Sequence, residues 1–185
     1  MKLFTLQIAN GFQSLHHPDI KYILGLYGSI TQKRLLSGWK IADAQFIDVE
    51  SKRQPPPNLC LFVGCLILPA KLKKSIFPEE TQDIEFLPIS ISGEPWLIAN
   101  CLRTTQHYDS SQSIVYRSVE DNKIFMVARM VVNDPSLEHS EMFTIDDSNR
   151  TQIFVHPDFV ERIKSLGLRG VNFKEIGTLN LELAD

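Results

Sequence analysis

The architecture of this chain turns on one stretch, Ile84-Glu85-Phe86-Leu87-Pro88-Ile89-Ser90-Ile91-Ser92-Gly93-Glu94-Pro95-Trp96-Leu97-Ile98-Ala99-Asn100-Cys101-Leu102. Ile84 and Phe86 alternate with Asp83 and Glu85, and Ile89 and Ile91 alternate with Ser90 and Ser92. A period of two marks a strand with one apolar face. The phase slips at Leu87-Pro88, and a β-bulge there explains both the slip and the proline. Gly93-Glu94-Pro95 turns the chain, so Trp96–Leu102 returns as the second arm of a hairpin.

Upstream, Leu59–Leu68 reads as a buried strand and Pro69–Phe77 as a short amphipathic helix. Pro69 suits its first turn, Leu72, Ile76 and Phe77 share one side, and Lys71, Lys73 and Lys74 lie on a solvated face. Ser51–Asn58 is charged and proline-rich, a stiff surface connector. Phe46–Val49 reads as a short strand. Asp19 is placed to cap a helix over Ile20, Ile23 and Leu24, weakened by Gly25 and Gly28. Lys2–Ile8 alternates as a strand. Downstream, Arg103–Ser113 is a long polar loop, Ile114–Arg117 a short strand, and Lys123–Val132 a strand apolar on both faces, as central strands are. Met142–Ile145 and Thr151–Val155 form a hairpin across Asp146-Asp147-Ser148-Asn149. A helix starts at His156-Pro157-Asp158, buries Phe159, Ile163 and Leu166, and stops at Gly167. Val171–Phe173 is a short strand. The expected fold is α+β: a single domain with a mainly antiparallel twisted sheet and two or three short helices. Residues 1–65 form its weakly patterned N-terminal part and residues 66–185 its α+β region.

Composition excludes several classes. The 185 residues hold 43% hydrophobic and 22% charged side chains, with 19 Lys+Arg against 22 Asp+Glu for a net charge of −3. That is neither a disordered chain nor a polycation made for nucleic acid. A chain of this length buries roughly 70% of its unfolded surface and needs no staple to fold. The longest apolar run, Leu59–Leu68, is about half of the ~20 residues that cross a bilayer. The N-terminal stretch lacks the long apolar core of a signal peptide. A cytoplasmic protein without membrane contact is expected. Cys60, Cys65 and Cys101 are odd in number, and the spacing of five puts Cys60 and Cys65 on opposite faces of a strand, so buried reduced thiols are expected.

Catalytic signatures are missing from the sequence. It has no phosphate-binding glycine loop and no nucleophile elbow. Of the five histidines (His16, His17, His107, His139, His156), no two stand three or four apart, the helical spacing for a shared metal. No metal or cofactor is expected. His107-Tyr108-Asp109-Ser110-Ser111 is the densest polar cluster. A hydrolase would use His107 as base and a serine as nucleophile, yet such groups converge in space rather than in sequence, and a hydrogen-bonded turn accounts for them. Asp146-Asp147 and Glu79-Glu80 read as solvated acidic loops. Lys33-Arg34, Lys52-Arg53 and Lys71–Lys74 lack interleaved aromatics, so nucleic acid is not an expected partner.

Four stretches resemble a known family. Leu68-Pro69-Ala70-Lys71-Leu72-Lys73-Lys74 is similar to its short helix before the sheet, and Ile84-Glu85-Phe86-Leu87-Pro88-Ile89 to its "E-F-L-P-V" strand. Asn100 with Tyr108-Asp109-Ser110-Ser111-Gln112-Ser113 resembles its "N-V … L-D … S" segment. Ile153–Phe159 and Gly167-Leu168-Arg169-Gly170-Val171-Asn172-Phe173 resemble its closing strand, helix and "G-L-x-G-x-x-F" ending. The family is immunity-protein family eleven of bacterial polymorphic toxin systems, the Myxococcus-type immunity domain, first catalogued as a domain of unknown function. Tyr108 replaces its usual leucine, and the first 65 residues match weakly. The resemblance implies a cytoplasmic, non-enzymatic protein that binds and neutralises a cognate toxin. Its toxin contacts are expected in the long loops, at His107, Tyr108, Asp109, Asp146 and Asp147. Two other functions are weighed against it: a small hydrolase built on the His107 loop, and a scaffolding module docking through Pro55-Pro56-Pro57. An enzyme should show a deep pocket with converging titratable groups. A toxin binder should show a flat or convex polar surface with exposed aromatics.

Overall fold

The computed structural model describes residues 1–17, 35–48, 53–62, 64–79, 81–148 and 152–182. Their strands are β1 (Lys2–Ile8), β2 (Ser14–His16), β3 (Ala42–Ile47), β4 (Cys60–Phe62), β5 (Cys65–Pro69), β6 (Ile84–Ile91), β7 (Glu94–Cys101), β8 (Thr104–Thr105), β9 (Ile114–Arg117), β10 (Ile124–Asn133), β11 (Met142–Ile145), β12 (Phe154–Val155) and β13 (Val171–Asn180). The described helices are α1 (Lys73–Ile76), entered through a 3-10 turn at Ala70–Leu72, and α2 (Pro157–Ser165).

One sheet has the order β8-β11-β12-β1-β13-β10-β9, the other β2-β3-β6-β7-β5-β4. The first curls back on itself. Past β8 the chain runs antiparallel to β10 through a bridge between Tyr108 and Val132, with Asp109 N donating to Val131 O at 2.8 Å and Asn133 N to His107 O at 2.9 Å. That seam gives the sheet a barrel-like curve. Leu3, Val127, Met130, Val132, Phe143, Ile145, Phe154, Ile176 and Leu179 fill its inside. Alternation sends the neighbouring side chains Leu6, Met142, Val155 and Val171 outward, where they meet Leu66, Leu68, Ala99 and the buried face of α2 in a second apolar layer. The other face of the second sheet buries Ile67, Leu87, Ile89, Ile91 and Ile98 under Trp39, Phe46 and Trp96.

The α+β expectation is overturned: the protein is mostly β, with two sheets of barrel-like curvature. Two described helices of four and nine residues are too short to form a helical layer. Much sequence read as turn or loop is extended instead. β13 runs ten residues, not three, because its polar middle is held by β1 on one side and its end by β10 on the other. Pairing is antiparallel in most of the ladders but parallel for β3/β6, β8/β11 and β10/β13. The helix expected at Asp19 lies outside the described residues, as do parts of the Ser51–Asn58 connector and of the Asp146–Asn149 turn.

Three local readings also change. Leu59–Leu68 is a hairpin: β4 and β5 pair from Cys60↔Ile67 to Phe62↔Cys65, with Gly64 at φ 72° between them. β6 runs opposite β7 without a register shift, so Leu87-Pro88 is not a bulge. Its register pairs Pro88 with Leu97, and β3 joins β6 only at Ile89–Ile91, so the proline's missing N–H falls where no ladder needs it. The turn between β6 and β7 is Ser92-Gly93, both at positive φ (52° and 83°), the twist that suits a two-residue hairpin loop.

Candidate functional site

The five loop residues singled out from sequence lie around the seam of the curled sheet. Asp109 is the acceptor of its own turn: its carboxylate takes Ser111 Oγ at 2.6 Å, Gln112 Nε2 at 2.6 Å and the Ser111 N–H at 2.8 Å. The Ser111 and Gln112 side chains, with their backbone N–H groups, hold this carboxyl down at about 2. Ser111 is therefore spent on an aspartate rather than on a base. His107 is exposed; its backbone N–H donates to Thr105 Oγ1 at 3.0 Å, and Thr105 Oγ1 donates to Asp134 Oδ2 at 2.6 Å. Asp134 is buried. Burial pushes its carboxyl up, but hydrogen bonds from Ser136 and Thr105 outweigh that and leave it below its ordinary value.

The structure brings Tyr108 and Asp147 together through a residue the sequence did not single out. Arg117, at the end of β9, donates through Nη2 to the Tyr108 hydroxyl at 2.9 Å and through Nη1 to Asp147 Oδ2. The Asp147 hydrogen bond is the first cause, ahead of Tyr108, that raises the guanidinium above its ordinary value. Asp146 and Asp147 are exposed, and the Asp147 carbonyl accepts the Ile124 N–H at 2.9 Å, tying the acidic turn to the start of β10. The long loop, the acidic turn and the β9–β10 pair thus form one surface.

That surface also carries an apolar patch. Ile114 (51% exposed) and Tyr116 (46%) alternate on one face of β9, and Phe125 (48%) and Met126 (45%) lie beside them on β10. The Tyr116 and Phe125 rings are 6.5 Å apart. Val119, at the β9–β10 turn, is fully exposed. From sequence Lys123–Val132 reads as a central strand, because apolar residues in an apolar strand look alike whether or not a neighbour covers them. The one available signal was the short polar-flanked Ile114–Arg117 strand beside them, which cannot cover a ten-residue strand.

A polar cavity of about 190 Å3 lies elsewhere, lined by Glu79, Glu138, His139, Glu141, His156 and Arg162 among others. Arg162 and Glu141 are committed to each other, while His156 Nε2 is buried without a hydrogen-bond partner among the described residues. Arg162 Nη1 donates to Glu141 Oε1 at 2.6 Å and to Ile76 O at 2.9 Å, and His156 Nδ1 accepts the Asp158 N–H at 3.3 Å, capping α2. Among the described residues no group of three or more His, Cys, Asp or Glu side chains is placed to hold a metal ion.

The proline loop is pinned as a connector. Pro57 is buried, Pro55 O accepts the Gln13 N–H at 3.1 Å, and Asn58 and Leu59 both donate to Arg169 O at 2.8 and 2.9 Å. Cys60, Cys65 and Cys101 are buried free thiols, and burial pushes the first two up to about 12. Among the described residues no helix is long and apolar enough to cross a membrane.

No protein-family model and no curated protein matches this chain.

Proposed function

We propose that this protein is a non-catalytic inhibitor that binds a cognate bacterial toxin domain and neutralises it by covering it, as an immunity protein does. The observation that carries this reading is the surface made by Ile114, Tyr116, Phe125 and Met126 beside the Tyr108–Arg117–Asp147 cluster. Aromatic residues, methionine and arginine are the side chains enriched in protein interfaces, and a half-exposed apolar patch with a charged rim is how such interfaces look when free. The acidic loops around it, with Asp109, Asp146 and Asp147, suit a basic partner and would speed encounter with it. The resemblance of the β6 and α2–β13 segments to an immunity family points the same way. A cytoplasmic location follows from this reading, since the producing cell must meet the toxin inside.

The reading requires a toxin gene beside this one. Co-expression with that toxin's terminal domain is expected to restore growth and to give a stoichiometric complex in size-exclusion chromatography with light scattering. Growth arrest despite equal expression, or a genome with no toxin frame next door, would overturn it.

A further inference from the structure

The geometry points to β9 as a strand-addition edge: an extended segment of the partner protein, apolar at alternate positions and carrying Lys or Arg at both ends, pairs with Ile114–Arg117 and extends the sheet by one strand. The inference rests on the toxin-binding reading above and names how the toxin is held.

Among the described residues β9 is the last strand of its sheet, with β10 as its one strand neighbour. Free edges of natural sheets are normally guarded by inward charges, prolines or bulges, because unpaired backbone groups invite another strand. β9 reads Ile-Val-Tyr-Arg. Its single charge, Arg117, is turned onto Tyr108 and Asp147 instead of guarding the edge. On one face Ile114 and Tyr116 stand half exposed, and Phe125 and Met126 continue that face onto β10, so an added strand finds apolar side chains as well as backbone partners.

Charge selects the occupant. Acids bracket β9 at both ends: the ionised Asp109 turn leads into it, with Ser113 N donating to Asp109 O at 2.9 Å, and the exposed Glu120 and Asp121 follow it, with Asp146 and Asp147 alongside. Arg129 lies one strand further in, on β10 opposite Ile114, and Lys123 stands in the β9–β10 turn, where its N–H donates to Asp121 Oδ1 at 3.2 Å and the four acids at that end still outnumber it. A second copy of this chain pairing antiparallel on β9 sets the Asp109 turn of one molecule against the Glu120–Asp121 turn of the other, acid against acid. A strand with basic ends meets attraction at both.

The test uses hydrogen exchange on the full chain, alone, with the toxin domain, and with two synthetic peptides, Lys-Lys-Val-Thr-Val-Thr-Val-Lys-Lys and its counterpart with glutamates for the lysines. Toxin binding is expected to slow exchange at 114–117 by about tenfold or more, and the basic peptide to bind about tenfold tighter than the acidic one. Ile114→Lys with Tyr116→Lys should lose about tenfold in affinity for both toxin and basic peptide. If that pair fails to fold, Tyr116→Thr, which keeps strand propensity, is read instead. A toxin complex with unchanged exchange at 114–117 overturns the edge and leaves the toxin reading standing. No toxin complex, with the basic peptide still protecting 114–117, overturns the toxin reading and supports the edge. Protection by neither, or a concentration-dependent dimer of this chain that Tyr116→Thr abolishes, overturns the edge.

Discussion

Replacing Gly170 with alanine tests whether the Gly-Leu-Arg-Gly ending is a device of the fold. Gly170 is buried with φ at +113°, a region that side-chain-bearing residues avoid. A Cβ built there lies 2.0 Å from the Leu59 carbonyl oxygen and 2.4 Å from Pro57 Cβ. Neither neighbour can yield cheaply, because Asn58 and Leu59 both donate to Arg169 O and Ala9 N donates to Gly170 O at 3.1 Å. The strained backbone costs about 1–3 kcal/mol and the forced overlap about 1–3 kcal/mol more. The sum, roughly 4 kcal/mol, is a large share of the 5–15 kcal/mol that holds a typical domain. At roughly 2–4 °C per kcal/mol for a chain of this size, the midpoint should fall by about 8–16 °C. Gly167→Ala is the control. It too sits at positive φ, +64°, but nothing lies within 4 Å of its would-be Cβ, so only the left-handed conformation is charged, about 1 kcal/mol. Urea and thermal unfolding of the two variants decide the matter. A Gly170→Ala variant no less stable than Gly167→Ala would refute the packing argument.

Other outcomes follow from single groups. Asp109 should titrate near 2 when its carboxyl carbon is followed by NMR, because Ser111 and Gln112 favour the ionised form. Its contribution to stability is then full above the ordinary carboxylate value and fades as pH falls through about 2; a midpoint near 4 refutes the turn geometry. Arg117→Ala should cost less than about 1 kcal/mol in urea unfolding, since its bridge to Asp147 is between groups 31% and 50% exposed, while toxin affinity falls by a larger factor; an equal loss in both would make Arg117 structural only. Cys60 and Cys65, pushed up to about 12 by burial, should be inert to a disulfide reagent at pH 8 until the chain unfolds in denaturant; reaction of the native protein within seconds contradicts the buried placement.

What the sequence made legible was what neighbours in the chain decide. Lys2–Ile8 and Ile114–Arg117 have the bounds that alternation and turn residues gave them. Helix α2 starts after His156 and buries Phe159, Val160 and Ile163 as its spacing requires, although Leu166 ends up 40% exposed. Distant pairing escaped. Lys174, Glu175 and Gly177 look like loop residues, and only the ladder to β1 makes them strand, with Gly177 so close to Met130 that a Cβ would lie 1.7 Å from its carbonyl oxygen. The turn at Gly64 is hidden between two equally apolar arms. For the candidate site, the acidic and histidine-bearing loops were visible as loops, but Arg117 was not. Its partners lie nine residues before it and thirty after it, and no local pattern joins them.

The β10 strand shows why the exposed patch is better read as a binding surface than as a flaw in the core. Its second half, Met130–Asn133, pairs with β13 and meets the 107–109 seam, and those contacts suffice to curl the sheet shut. Its first half pairs with β9 instead, while Val127 on its other side is bonded by the Gln152 side chain. β9 turns Val115 in against the core, while its other face, Ile114 and Tyr116, stays outside the barrel-like curve. The strand shows Ile114 and Tyr116 to water and leaves Phe125 and Met126 half exposed beside them, so apolar surface remains after folding. Covering those four half-exposed side chains removes on the order of 400 Å2 of mainly apolar surface, worth about 10 kcal/mol before the cost of association is subtracted. That gain is open to a partner and closed to the isolated chain, which is the energetic signature expected of a surface that works by being covered.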